Sequence, residues 1–121
     1  MAMIVPTFSK IRGPSGGVDA IVATWTPLAA AGDIGQTLQR TDLADRSVQV
    51  TGTFAASTIV LEGSNDGINY FTLSTPSGAA VSFTAAGLLQ VNQPTAWVRP
   101  RVTVGSGASL TVTLTARRTL R

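Results

Sequence analysis

The sequence predicts an all-β protein, an antiparallel β-sandwich or jelly-roll-like barrel with an extended N-terminal arm. Three observations carry that expectation. Several runs rich in Val, Ile and Thr alternate apolar and polar residues with a period of two. The turn signals "AAS", "SNDG", "PSG", "TAAG", "NQP" and "GSG" fall between those runs. No stretch carries the spacing of a long amphipathic helix.

Residues 1–19 read as the arm and residues 20–121 as a single β-sandwich domain. The arm mixes Lys10 and Arg12 with the apolar Ile4, Val5 and Phe8, which favour docking over a purely solvated tail. "GPSGG" at 13–17 is its expected hinge. "AIVATWTP", residues 20–27, is the first strand of the domain, ended by Pro27. Leu28–Ala31 has the composition of a helical turn that Gly32 and Gly35 would stop, and Gly35–Arg40 suits a short strand.

From Arg46 onward the faces can be assigned. Val48, Val50, Gly52 and Phe54 point one way, and Ser47, Gln49, Thr51 and Thr53 the other. Ile59 and Leu61 are expected inward, with Thr58, Val60 and Glu62 outward. In "NYFTL" Phe71 and Leu73 oppose Tyr70 and Thr72, and "AVSF" and "GLLQVN" supply further strands. Val98, Pro100, Val102 and Val104 oppose Trp97, Arg99, Arg101 and Thr103. Leu110, Val112, Leu114 and Ala116 oppose Thr111, Thr113, Thr115 and Arg117. Pro100 has no N–H for a ladder, so its strand is expected at an edge or a bulge, where a neighbouring subunit can approach.

At 121 residues the chain suits one domain with one core. Hydrophobic residues make up 44% and charged residues only 12%, so Thr, Ser, Gln and Gly must cover the surface. Nine Lys+Arg stand against six Asp+Glu, a net charge of +3, and all but Lys10 of the cations are Arg. That excess lacks the broad basic face with interleaved aromatics that nucleic acid requires, so no nucleic-acid partner is expected. The long uncharged span from Gly67 to Val98 is broken by Asn69, Thr72, Gln90, Asn92 and prolines, so no membrane span is expected. The start "MAMIVPTFSK" has no basic region ahead of an apolar run, so no secretion signal is expected either.

Catalytic sets are missing. The sequence has neither Cys nor His, and its single Lys lies in the arm. Asp42 and Asp45 stand between Arg40 and Arg46, which reads as a solvated loop with local ion pairs. "SNDGIN" offers Asn65, Asp66 and Asn69 as oxygen ligands, but a single carboxylate is poor for calcium. The better reading is a structural turn: Asn65 and Asp66 tolerate its central positions, and Gly67 supplies a positive φ. "GPSGG" and "GSGAS" precede neither a lysine nor a helix start, so they do not cradle phosphate. No enzyme activity, metal or cofactor is expected. Trp25, Tyr70 and Trp97 are the candidates for a sugar platform, against core packing or subunit contact.

The order "VQVTGTFAASTIVLEGSNDGINYFTLS", then "FTAAGLLQVNQPTAWVRPRVTVGSGASLTVTLTARR", resembles a group of small tailed-bacteriophage structural proteins over residues 47–118. The resemblance implies a virion component, a head decoration (capsid cement) protein that sits on the exterior of the capsid, often as a homotrimer. It would be made in the host's cytoplasm and would clamp adjacent major capsid subunits. Ile4, Val5 and Phe8 of the arm, with Arg99, Arg101, Arg117 and Arg118, are then the candidate capsid and subunit contacts. A tail or baseplate structural protein and a glycan-binding module on the virion surface are the alternatives.

Overall fold

The computed structural model describes residues 2–12, 18–40 and 42–118. The expected hinge at 13–17, the first residue and the terminal Arg121 lie outside them. The chain is all-β: twelve strands form two sheets, and no helix occurs among the described residues.

One sheet runs β10 (Gly87–Val91), β6 (Asp45–Thr53), β12 (Ser109–Arg117), β3 (Val18–Leu28), β2 (Thr7–Arg12), antiparallel throughout. The other runs β1 (Met3–Ile4), β4 (Ile34–Gly35), β11 (Trp97–Val104), β7 (Thr58–Ser64), β8 (Phe71–Thr72). Within it β5 (Leu38–Gln39) also pairs with β11, and β9 (Ser82–Phe83) with β7. Among the described residues only β1 and β4 pair in parallel.

The alternation read in the long strands places the core. Ile21, Ala23 and Trp25 of β3, Val48 and Val50 of β6, and Leu110, Val112 and Leu114 of β12 face Ile59, Leu61, Val98 and Val102 of the other sheet. Each such side chain contributes roughly 1.5–3 kcal/mol when fully buried. Trp25 is completely covered, and its Nε1 donates to the Gln36 carbonyl at 2.9 Å, so the indole's polar atom is satisfied inside.

Leu28 ends β3, and no helical turn follows. Residues 29–33 instead close around Asp33, whose carboxylate accepts from Ala29 N, Ala30 N and Ala2 N at 2.9–3.1 Å. Burial pushes the Asp33 pKa up, but these backbone donors outweigh it and hold the group below its ordinary value.

Pro100 corrects another expectation: its strand is internal, flanked by β7 on one side and by β4 and β5 on the other. Its partner Leu61 turns its own N–H to Val81 O and its carbonyl to Leu73 N, away from β11. Pro100 N therefore faces the opposite side, where β5 pairs only with Trp97 and Val98 and β4 only with Arg101. Pro100 thus stands between the two short pairings, outside the register of either. Gly35 fits against the ring because a Cβ there would lie 2.6 Å from Pro100 Cδ.

The N-terminal segment is extended and lies on its own domain. Ile34 N donates to Ala2 O and Gln36 N to Ile4 O, while Ile4 packs against the core. Past Pro6 the chain crosses to the other sheet, where β2 lies along β3 from Thr7↔Thr24 to Arg12↔Val18.

Candidate functional site

Three places carry the residues singled out by sequence: the corner at 64–69, the arginine face of β11, and the N-terminal edge. The corner is closed by its own polar groups. Ser64 Oγ donates to Asp66 Oδ1 at 2.7 Å and accepts from Gly67 N at 2.9 Å. Ile68 N and Asn69 N donate to Asp66 Oδ1 at 2.8 Å, and Asn69 Nδ2 donates to Oδ2 at 2.8 Å. Those bonds, the one from Asn69 N first, hold the Asp66 carboxyl well below the usual carboxylate range. Both carboxylate oxygens are thus engaged by N–H and O–H donors, which is the chemistry of a turn. Gly67 takes φ 77°, and Asn65 Oδ1 accepts from Ala96 N at 3.2 Å. A Cβ on Gly67 would sit 3.4 Å from the Trp97 ring, so the corner lies over that indole. Among the described residues no group of three His, Cys, Asp or Glu side chains comes together to hold a metal.

Beside the corner, Glu62 and Val60 differ from their expected outward exposure. Both are buried, Glu62 between two arginines of the neighbouring strand. Arg99 Nε donates to Glu62 Oε1 at 2.7 Å and Arg101 Nε to Oε2 at 3.1 Å. The Arg99 guanidinium lies 3.8 Å from the Tyr70 ring centroid, and Tyr70 Oη and Thr37 Oγ1 share a hydrogen bond of 2.9 Å. One carboxylate thus holds two arginines from the neighbouring strand, and an aromatic ring caps one of them.

The aromatic candidates divide. Trp25 is core, Trp97 is half-buried under the corner, and Tyr70 is half-buried against Arg99. The exposed rings are Phe8 and Phe71, the latter 72% exposed although its parity with Leu73 suggested an inward position. Its strand β8 has two residues, too short for alternation to fix a face. Phe71 stands at a groove of about 530 Å³ whose walls include Asn65, Asn69, Gln93 and Thr95.

In the 40–46 loop one expected ion pair forms and the other does not. Arg40 binds Asp42 through Nε at 3.0 Å and Nη2 at 2.8 Å, which brings the Asp42 pKa down to about 2. Among the described residues Arg46 makes no ion pair; it is buried, donating to the carbonyls of Leu43, Thr95 and Arg40 at 3.1, 2.7 and 2.6 Å. Burial lowers its pKa from the ordinary value. A signal for this was present, since Arg46 shares parity with the inward Val48 and Val50.

The candidate contacts do not form one patch. Val5 and Phe8 are exposed at the N-terminal edge, with Ile4 half-buried beside them. Arg99 and Arg101 lie on the outer face of the seven-stranded sheet, bound to Glu62. Arg117 is exposed where β12 ends, level with Ala20 and Asp45, and Arg118 follows it, its charge felt at Asp42.

No protein-family model matches the sequence, and no curated protein matches it. Solved structures do resemble the fold. The SPBc2 prophage-derived protein YomS superposes with a TM-score of 0.60 at 14% identity, over 80% of this chain and 93% of that one. The fold is the one shared. An RmlC-like cupin protein from Desulfovibrio desulfuricans gives a TM-score of 0.40 at 11% identity, over 90% of this chain and 80% of that one. Peruvianin-I, a cysteine peptidase from Thevetia peruviana latex, gives 0.43 at 13%, over 94% of this chain and 63% of that one.

Proposed function

We propose that this chain is a non-enzymatic structural protein of a tailed-phage particle. It binds the exterior of the capsid, as a homotrimer, and stabilises the shell by bridging neighbouring major capsid subunits. The observation that carries this reading is the fold shared with a prophage-derived protein over most of both chains, joined to the ordered run of motifs from residue 47 to 118.

The physical mechanism is mechanical. A shell under outward pressure fails where neighbouring subunits part, and a stiff two-sheet domain spanning that seam adds interface that must be broken first. Specific contacts of this kind bury on the order of 1,000 Å² or more, and symmetry repeats each of them around the particle. Exposed Met3, Val5, Phe8, Ile68, Phe71 and Leu88 are the apolar groups available for such contacts.

Particles made without this protein test the reading. They should release their nucleic acid at lower temperature than intact particles, and adding purified protein should restore the difference. Equal release temperatures with and without bound protein would leave bridging without support.

A further inference from the structure

β2 ends its sheet, and among the described residues no strand pairs with its outer side. Every second residue of Thr7–Arg12 therefore turns a backbone N–H and C=O toward open space, the template to which an extended chain adds. The opposite edge strand is less open, because Asn92, one residue past β10, donates to Ser74 O and ties that side to the 74–83 segment.

The side chains of β2 are unusual for a sandwich. Phe8 pairs with Ala23 and Lys10 with Ile21, so both point to the inner, core-facing side. Yet Phe8 is 54% exposed, and all six residues of β2 are exposed. The five-stranded sheet overhangs its partner by this one strand. Beneath the overhang lies a cleft of about 450 Å³ between Phe8 and Lys10 on one side and Gln36–Arg40 on the other, with Ile21 and Leu38 among its lining. An open edge above an apolar-floored slot fits a strand that sends a side chain inward.

Charge selects the occupant. β2 carries Lys10 on the cleft side and no carboxylate, while the Arg40 charge at the cleft is already matched by Asp42. A second copy pairing its β2 about a two-fold axis must keep like faces together. The best-overlapping registers then set the two Lys10 side chains opposite or on the diagonal, about 5 to 8 Å apart, which is repulsive.

We propose that the β2 edge is a strand-addition site for an extended acidic segment of another protein. Such a segment carries an apolar residue and a carboxylate two positions apart. The apolar residue enters the cleft beside Phe8, and the carboxylate meets Lys10 on the same face. A β-branched or apolar residue on the alternate face covers Ile11, which is 52% exposed. The site stands on the edge geometry and does not depend on a virion location, so either can fail alone.

Panning a random peptide library against the full-length protein tests this, with the Phe8→Ala and Lys10→Glu variants as comparisons. Both positions are exposed, so both variants should keep the wild-type melting temperature. The expected result is enrichment of peptides with an Asp or Glu two residues from an apolar side chain, bound about tenfold or more weakly by either variant. Lys10→Glu should shift selection to Lys or Arg at the acidic position. The proposal is overturned if no peptide is enriched over the double variant, or if enriched peptides lack the pattern. Equal binding of enriched peptides to both variants overturns it as well. Sedimentation that finds wild-type dimers dissolved by Phe8→Ala would also overturn it, by making the occupant a second copy.

Discussion

The arginine face of β11 and the free edge of β2 use the same ingredients, a cation beside an aromatic ring, and put them to opposite use. On the outer face of β11 the charges are engaged within the fold: Arg99 and Arg101 hold one carboxylate whose side chain is only 4% exposed, and Tyr70 covers Arg99. On β2 the cation and the ring stand open above a cleft. The difference lies in what the chain folds back over them. Between β7 and β8 the chain lies over β11, with Gly67 on Trp97 and Tyr70 on Arg99, held by the Asp66 corner, whereas nothing described lies over β2. A charge on a strand is thus a stabilising element or a presented one according to distant residues.

The largest effect should come from stripping the covered face. Arg99→Leu with Arg101→Leu leaves Glu62 buried without a counter-charge and should cost about 3–5 kcal/mol, read as a lower urea midpoint at unchanged m-value. Glu62→Gln should cost less, because the two guanidinium groups, 24% and 42% exposed, still reach water. An equal or larger loss for Glu62→Gln, which keeps the shape of the side chain, would mean that the two arginines depend on the carboxylate's charge more than the carboxylate depends on theirs.

Next in size is the corner. Gly67→Val forces a branched side chain into φ 77° against Trp97 and should cost about 1–2 kcal/mol. The loss should appear as faster exchange of the Ile68 and Asn69 amides. A variant as stable as wild type would show that the corner does not hold the covering segment down.

Acid should sharpen the same point. Asp66 and Asp42 have folded-state pKa values below the ordinary carboxylate value, so their contribution is fully present above an unfolded pKa of about 4. It is lost as pH falls through the folded values, about 2 for Asp42. Stability should therefore decline below about pH 4, and Asp66→Asn should flatten that decline. An unchanged slope in Asp66→Asn would remove the corner carboxylate from the account.

The smallest effect belongs to the open edge. Phe8→Ser and Ile11→Ser should each change stability by less than about 0.5 kcal/mol, since both side chains are exposed in the free protein. A loss above that would mean that β2 is a structural strand whose apolar groups serve its own fold.

Alternation made β6, β11 and β12 legible, because long strands buried on one face repeat the pattern often enough to fix it. Two-residue strands such as β4, β5 and β8 carry no period, so the stretch from 28 to 46 and the face of Phe71 were hidden. The "SNDG" corner could be read locally since its bonds join neighbours in sequence. The burial of Glu62 could not, because it rests on Arg99 and Arg101, 37 and 39 residues away. Arg46 was legible by parity and obscured by the adjacent aspartates, which suggested ion pairs. That β2 joins β3 and leaves an edge was invisible for a different reason: an extended segment reads the same whether it pairs with its own domain or another's.

The measurement that bears most directly on the particle reading is the number of copies of this chain per purified virus particle, by quantitative mass spectrometry against the major capsid protein. A capsid-bridging protein should be present at a ratio comparable with the capsid protein. A handful of copies would move the chain to the tail or connector, and absence from particles would contradict the account outright.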